Sequence, residues 1–116
     1  MNKRSVGNDK EDLVTLFLKK NGVKILDRNY STDKGEIDII GSDGEYIVFF
    51  EVKYRKSAKH GNPLEAITPS KIRRIVNASK IYLYNNHYSD NTYIRYDCIG
   101  VLDSNITWIK NAFDAF

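Results

Sequence analysis

The chain has 116 residues, of which 41% are hydrophobic and 28% charged, proportions typical of a single globular domain. Its apolar runs are too short to cross a membrane, no apolar core of a signal peptide follows Met1, and the one cysteine, Cys98, excludes an internal disulfide framework and a cysteine-based zinc site. We therefore expect one cytoplasmic domain over residues 1–116, and the net charge of +3 permits a polyanionic partner.

The first predicted elements are a helix and a strand. Residues 1–8 are typical of a loose tail, after which Asn8 or Asp9 can cap a helix that runs to about Asn21. Three apolar side chains fall at helical spacing and are expected to form its buried stripe: Leu13, Leu16 and Phe17. The segment from Val23 to Tyr30 then predicts the first strand.

A β-hairpin is predicted next. Two runs rich in Ile, Val, Phe and Tyr, Gly35–Ile40 and Tyr46–Arg55, flank an Asp43-Gly44 pair, and an Asp-Gly pair between such runs is a strong hairpin signal. The second run is apolar on both faces, which is typical of a central strand covered on both sides.

The second half of the chain predicts a helix and two further strands. A polar segment at residues 56–63 is expected to be a surface loop, and Thr68-Pro69 provides the capping hydroxyl and first-turn proline of a helix. Its expected buried stripe contains Ile72, Ile75, Val76, Ser79, Tyr82 and Leu83. Strands are predicted from Tyr93 to Leu102 and from Ile106 to Lys110. The order α-β-β-β-α-β-β predicts an α/β domain with a mixed central sheet flanked by helices.

The hairpin carries charges where strands are otherwise apolar. Glu51 and Lys53 share a face because side chains alternate along a strand. If Asp43-Gly44 is a two-residue turn, Asp38 lies opposite Phe49 and diagonal to Glu51, about 7–8 Å away at the backbone. A three-residue turn without a bulge would instead place the two carboxylates on opposite faces.

These charged side chains have two interpretations. Mg²⁺ and Mn²⁺ prefer carboxylate oxygens and water, so Asp38 and Glu51 could hold such an ion, with Lys53 beside it for phosphodiester hydrolysis. The simpler interpretation is a structural ion pair between Glu51 and Lys53, and the pattern alone does not separate the two.

Two further groups of charges also remain open. Glu11 lies in the first turn of the first helix, where a carboxylate complements the helix dipole. Lys71, Arg73, Arg74 and Lys80 lie off the apolar stripe of the second long helix; they form either a solvated face or a surface for phosphates.

Motifs along the chain resemble a known family. Gly35-Glu36-Ile37-Asp38-Ile39-Ile40 followed by Val48-Phe49-Phe50-Glu51-Val52-Lys53-Tyr54-Arg55 is similar to the signature of the small bacterial YraN-like proteins, which resemble the PD-(D/E)xK nuclease superfamily. Further matching segments stand in the family's order: Glu11-Asp12-Leu13, Ile25–Tyr30, Ala66–Lys71, Tyr96–Val101 and Asn111-Ala112-Phe113.

The resemblance implies a restriction-endonuclease-like or Holliday-junction-resolvase-like fold and a Mg²⁺- or Mn²⁺-dependent DNA endonuclease that acts on branched, nicked or damaged DNA. It makes Asp38 and Glu51 metal ligands, Lys53 the catalytic lysine and Glu11 an additional carboxylate near the metal, in place of a dipole residue. It places Glu36 and Arg55 at the rim of the site near substrate, and the basic helix adds Lys71 and Arg74 as expected contacts with nucleic acid.

The same resemblance suggests a homodimer, since symmetric cutting of two strands needs two sites, and it leaves room for a protein partner. Two other classes stay open. One is a nucleic-acid-binding module that keeps the fold without cleaving, and the other is a structural protein whose charges form ordinary ion pairs.

Overall fold

The computed structural model describes residues 6–56 and 67–115, and for residues 6–10 the backbone only. The helices and strands are α1 (Val6–Lys20), β1 (Lys24–Thr32), β2 (Gly35–Asp43), β3 (Tyr46–Arg55), α2 (Pro69–Asn85), β4 (Ile94–Leu102) and β5 (Asn105–Phe113). This is the predicted order of elements. Most of the predicted loop at residues 56–63, and residues 1–5 of the predicted tail, lie outside the described residues.

One mixed five-stranded sheet organises the molecule. Its strand order, β1-β2-β3-β4-β5, is the order of the chain. β3 and β4 are parallel, from Ile47 opposite Ile94 to Arg55 opposite Leu102, and the other neighbouring strands are antiparallel. Because a parallel pair needs a crossover, α2 lies between β3 and β4 in the chain. The predicted mixed sheet flanked by helices is therefore confirmed.

The two helices cover opposite faces of the sheet. On the α1 side, Val14 and Leu18 join a core that includes Val48 and Phe50 of β3. On the α2 side, the β3 residues Ile47 and Phe49 pack in a second core, with a larger set of partners: Ile37, Ile40, Ile75, Val76, Ala78, Tyr82 and Tyr96. β3 is thus the doubly covered central strand that its composition predicted.

α1 differs from the prediction in two respects. It begins at Val6, so the predicted caps Asn8 and Asp9 and part of the predicted tail lie inside the helix. Leu13 and Leu16 are 39% and 57% exposed, whereas Val14 and Leu18 are buried. Both sets have helical spacing, and the period alone cannot tell which of two neighbouring stripes faces the sheet.

α2 begins as predicted. Thr68 has extended backbone angles, its Oγ1 accepts a hydrogen bond from the Lys71 amide at 3.1 Å, and Pro69 occupies the first turn. The first half of the helix packs very closely on β2, because a Cβ at Gly35 would overlap the Arg74 carbonyl. No helix in the described ranges is long and apolar enough to span a membrane.

A buried carboxylate ties the strands together on the α1 side. Asp97 of β4 is fully buried and accepts hydrogen bonds from Arg95, from Trp108 Nε1 at 2.8 Å and from the Asn111 amide at 2.8 Å. Arg95 also binds Asp43, at the end of β2, at 2.8 Å. Because every interaction satisfies a buried oxygen or a partly buried guanidinium, this cluster fixes the relative positions of β2, β4 and β5.

Candidate functional site at the end of the β2–β3 pairing

The hairpin turn sets the register between β2, which carries Asp38, and β3, which carries Glu51. Asp43 pairs with Tyr46, so the two central residues are Gly44 and Glu45, not Asp43 and Gly44. Gly44 has φ +60, a conformation that glycine adopts without a side-chain clash. Continued from the last pair, Ile39 opposite Phe50, this register brings Asp38 opposite Glu51. The predicted pairing of Asp38 with Phe49 is therefore wrong by two residues, which leaves the face unchanged because side chains alternate.

Regular pairing stops where these two acidic residues lie. Beyond the Ile39–Phe50 pair, the Asp38 side chain replaces the backbone partner: its Oδ2 accepts a hydrogen bond from the Val52 amide at 2.8 Å. We call this place the β2–β3 fork and define it by Asp38 and Glu51. The Asp38 carboxylate thus sits between the separating strands, where it influences groups on both faces of the sheet.

Two lysines converge on Glu51, which is only 3% exposed. Its Oε2 lies 3.8 Å from Nζ of Lys53, two residues further along β3, and 3.4 Å from Nζ of Lys71 in the first turn of α2. The predicted contact between Glu51 and Lys53 is present, and a second ammonium from another element is nearer to the same oxygen.

Burial raises the pKa of Glu51 from 4.5 to about 8. A hydrogen bond with Asp38 and the negative charge of Asp38 act in the same direction, while the positive charges of Lys71 and Lys53 oppose the rise in pKa. Since desolvation and the second carboxylate together outweigh two ammonium groups, the protonated form of Glu51, hydrogen-bonded to Asp38, is favoured at neutral pH.

A second polar group lies on the α1 side of the fork. Oε1 of Glu11 is 3.5 Å from the Arg28 guanidinium, which also binds Asp12 at 2.8 Å. Burial, followed by the charges of Glu11 and Asp38, raises the pKa of Tyr54. Three buried side-chain atoms in the described part of the chain lack a hydrogen-bond partner, and all three belong to this group: Glu11 Oε1, Arg28 Nε and Tyr54 Oη.

The fork resembles a metal site in its chemistry but not in its number of ligands. Asp38 and Glu51 offer adjoining carboxylates, and Mg²⁺ is commonly bound by one or two carboxylates together with water and phosphate oxygens. Among the side chains described for residues 11–56 and 67–115, however, no three from Asp, Glu, His or Cys converge as a metal cluster. Glu11, the predicted additional carboxylate, lies beside Arg28 instead.

The four residues predicted to contact nucleic acid have different surroundings. Glu36 is exposed on β2 opposite Ser31 of β1. Arg55 donates a hydrogen bond to the Tyr54 carbonyl at the end of β3, and Arg74 is exposed on α2. Lys71 is the exception, since it reaches the centre of the fork.

Sequence reasoning gave Arg28 and Tyr54 no role. Strand alternation does predict that Tyr54 faces away from Glu51 and Lys53, but nothing in the local pattern predicts that Asp38 lies close enough to influence both faces. The sequence predicts the helix that carries Lys71 and therefore a surface position for this residue. It does not predict where the helix packs on the sheet, which is what brings Lys71 to Glu51.

Comparisons with known proteins support one assignment. The profile described as "Uncharacterised protein family UPF0102" matches residues 10–101. A UPF0102 protein of Lachnoclostridium phytofermentans is 46% identical over 116 residues, covering 100% of this chain and 98% of its own. Similar proteins occur in Fusobacterium nucleatum, with 43% identity over 96% of this chain and 92% of the relative, and in Vibrio campbellii, with 42% identity over 95% and 93%. The chain belongs to the UPF0102 family, the YraN-like family that its motifs resemble.

Proposed function

We propose that this protein is a Mg²⁺- or Mn²⁺-dependent endonuclease that hydrolyses phosphodiester bonds of DNA, with branched, nicked or damaged DNA as the preferred substrate. The observation that carries the proposal is the β2–β3 fork, where a buried Glu51 adjoins Asp38 and faces two lysines. Bringing two carboxyl groups together inside a doubly covered sheet costs stability even with lysines nearby, so a functional reason for keeping them is expected.

Each residue of the fork has a role in this proposal. Asp38 and Glu51 would hold the cation, with Val52 fixing the orientation of Asp38 through its amide. A bound Mg²⁺ or Mn²⁺ would polarise the phosphate and lower the pKa of a bound water. Lys53 would donate a hydrogen bond to the attacking water or to the phosphate oxygen on which negative charge develops.

Glu11 would act at the edge of the ligand set. Its Oε1 is buried, has no hydrogen-bond partner and lies near Tyr54, whose pKa Asp38 also influences. An acceptor without a hydrogen bond fits a role close to the cation, for example in binding one of its waters. The contact with Arg28 supports a water-mediated role over direct ligation.

The architecture agrees with the proposed class. A mixed sheet with a helix on each face, and acidic residues where two antiparallel strands separate, is the arrangement expected of a restriction-endonuclease-like nuclease. A homodimer would provide two sites for two DNA strands, and a protein partner could supply substrate specificity.

One observation favours a second candidate, a nucleic-acid-binding module that does not cleave. Glu51 is hydrogen-bonded to Asp38 and contacts two lysines, so the fork satisfies much of its own charge without a cation. In that case the lysines would bind backbone phosphates and the carboxylates would only position them.

A cleavage assay separates the two candidates. Wild type, Asp38→Asn and Glu51→Gln would be incubated with linear, nicked and four-way-junction DNA in Mg²⁺, in Mn²⁺ and in EDTA. We expect metal-dependent cutting by wild type and a loss of at least a hundredfold in both variants, because each removes a ligand of the cation.

Asp33→Asn provides the matched control, since Asp33 is an exposed carboxylate in the β1–β2 turn and its loss should leave cleavage unchanged. Equal cutting by all variants would mean that the fork is not the active site. DNA binding by wild type without cutting in either metal would support the binding module.

A further inference from the structure

Among the residues that the structure describes, Lys71 brings its ammonium closest to the buried carboxylate of the fork. Its Nζ lies 3.4 Å from Oε2 of Glu51, compared with 3.8 Å for Lys53. The two ammonium groups come from different elements, one from β3 and one from α2, and meet at one oxygen. A lysine ammonium can donate three hydrogen bonds, so a single carboxylate oxygen leaves most of this donor capacity unused.

The fold holds Lys71 at this place. The Lys71 amide is bound by the Thr68 cap, and three residues later the Arg74 carbonyl packs against Gly35 so closely that no side chain fits there. Gly35 begins β2, the strand that carries Asp38. The first turn of α2 is therefore fixed relative to the fork, and the position of Lys71 is a consequence of helix packing.

Lys71 also connects the fork with the surface. Its side chain is 30% exposed, whereas that of Glu51 is 3% exposed. A ligand that approaches the fork from solvent on the α2 side would meet the ammonium of Lys71 before the carboxylate of Glu51. An anion fits this position, because its oxygens would accept hydrogen bonds from the two ammonium groups.

We propose that Lys71 is a substrate-binding residue, and that its ammonium binds a backbone phosphate of DNA beside Asp38 and Glu51. This inference rests on the proposed function and assigns different roles to the two lysines. Lys71 supplies affinity for the phosphodiester, and Lys53, fixed on β3 beside Glu51, acts on the reacting groups.

The test measures binding separately from cleavage. Fluorescence anisotropy of labelled duplex and four-way-junction DNA in EDTA would give Kd at several salt concentrations for wild type, Lys71→Met, Lys71→Gln and Lys71→Arg. We expect Kd to rise about fivefold to tenfold in the Met and Gln variants, the slope of log Kd against log salt to fall by about one, and Arg to restore both.

Two controls make the result specific. Lys20→Met removes an exposed lysine from the last turn of α1, on the opposite face of the sheet, and should change Kd less than twofold. Lys53→Met should lower kcat more than it raises Kd. Thermal unfolding of each variant would confirm that it is folded, and Lys71→Gln keeps a group that can donate to Glu51 if Lys71→Met is unstable.

The outcomes distinguish this inference from the proposed nuclease activity. Unchanged Kd and salt slope in both Lys71→Met and Lys71→Gln would overturn the role of Lys71, even if wild type cuts DNA. Weaker binding in these variants with no cutting by wild type would support Lys71 as a phosphate ligand while overturning the nuclease. A wild type that binds no DNA would overturn both.

Discussion

The Glu51 carboxyl is almost completely removed from water, although it belongs to one of the residue types that folded proteins most often leave exposed. Two lysines lie within 4 Å of it, yet its pKa rises to about 8 because burial and Asp38 disfavour the negative charge more than the lysines favour it. At the residue scale, then, the fork keeps a protonated acid in the fold at a cost in stability that increases as the pH rises.

The first prediction concerns this cost. Between pH 4.5 and pH 8, native Glu51 binds a proton that the unfolded chain has released, so the free energy of unfolding of wild type should fall as the pH rises through this window. Glu51→Gln cannot titrate, and urea denaturation in EDTA should show it gaining a few kcal/mol relative to wild type between pH 5 and pH 9.

Glu45→Gln is the control for that experiment, because Glu45 is exposed in the hairpin turn and its change should leave the pH profile parallel to that of wild type. A Glu51→Gln profile that is also parallel to wild type would mean that Glu51 is ionised in the native state at neutral pH.

At the scale of elements, the sequence predicted those features that depend on residues close together in the chain. Thr68 and Pro69 start α2, and the apolar residues of β3 identify the central strand. Two predictions failed because competing solutions were equally good locally. A neighbouring stripe of α1 faces the sheet, and Gly44 is the first central residue of the turn rather than the second.

The second prediction concerns the packing of α2 on β2. Gly35→Ala would place a methyl group against the Arg74 carbonyl, a backbone atom that can move only with its helix. We expect a loss of about 3 kcal/mol in the free energy of unfolding, measured by urea denaturation, together with weaker DNA binding as Lys71 moves with the helix.

Gly44→Ala is the matched comparison, since nothing lies within 4 Å of a Cβ there and only the positive φ is unfavourable. Its expected loss is about 1 kcal/mol. If the two alanine variants are equally stable, α2 does not depend on close approach at Gly35.

At the scale of the whole molecule, the sheet order could not be predicted from the sequence. Patterns of hydrophobicity indicate strands but carry no information on which distant strands are neighbours, and β3 and β4 are joined through a crossover. The Asp97 cluster was also not predicted, because an aspartate in a strand is expected at the surface unless its partners are known. The candidate site was found because Asp38, Glu51 and Lys53 are close in sequence, whereas the role of Lys71 depends on tertiary packing.

The third prediction tests whether the Asp97 cluster stabilises the whole sheet. Asp97→Asn replaces an acceptor oxygen by an amide that faces the donors of Arg95, Trp108 and Asn111, so we expect a loss of about 3–5 kcal/mol. Trp108 is the only tryptophan and packs against Phe17 of α1 and Phe50 of β3, so its fluorescence in urea reports on the global transition.

Asp43→Asn removes a more exposed partner of Arg95 and should cost about 1 kcal/mol. Comparable losses in the two variants would indicate that the buried carboxylate of Asp97 contributes no more to the free energy of unfolding than the more exposed one of Asp43. Separate transitions for fluorescence and circular dichroism would indicate that the sheet does not unfold as one unit.

The crossover between β3 and β4 also has a consequence for the order of folding events. The β2–β3 hairpin closes through a two-residue turn, whereas β4 reaches β3 only after residues 56–93 have formed a closed loop, and loop closure over longer segments is slower and entropically less favourable. We therefore expect Asp38 and Glu51 to come together early, within a locally formed hairpin, and Lys71 to join them later with α2. During this interval the two acids have no ammonium from α2 beside them, so low pH, which removes their mutual repulsion, should favour early steps of folding.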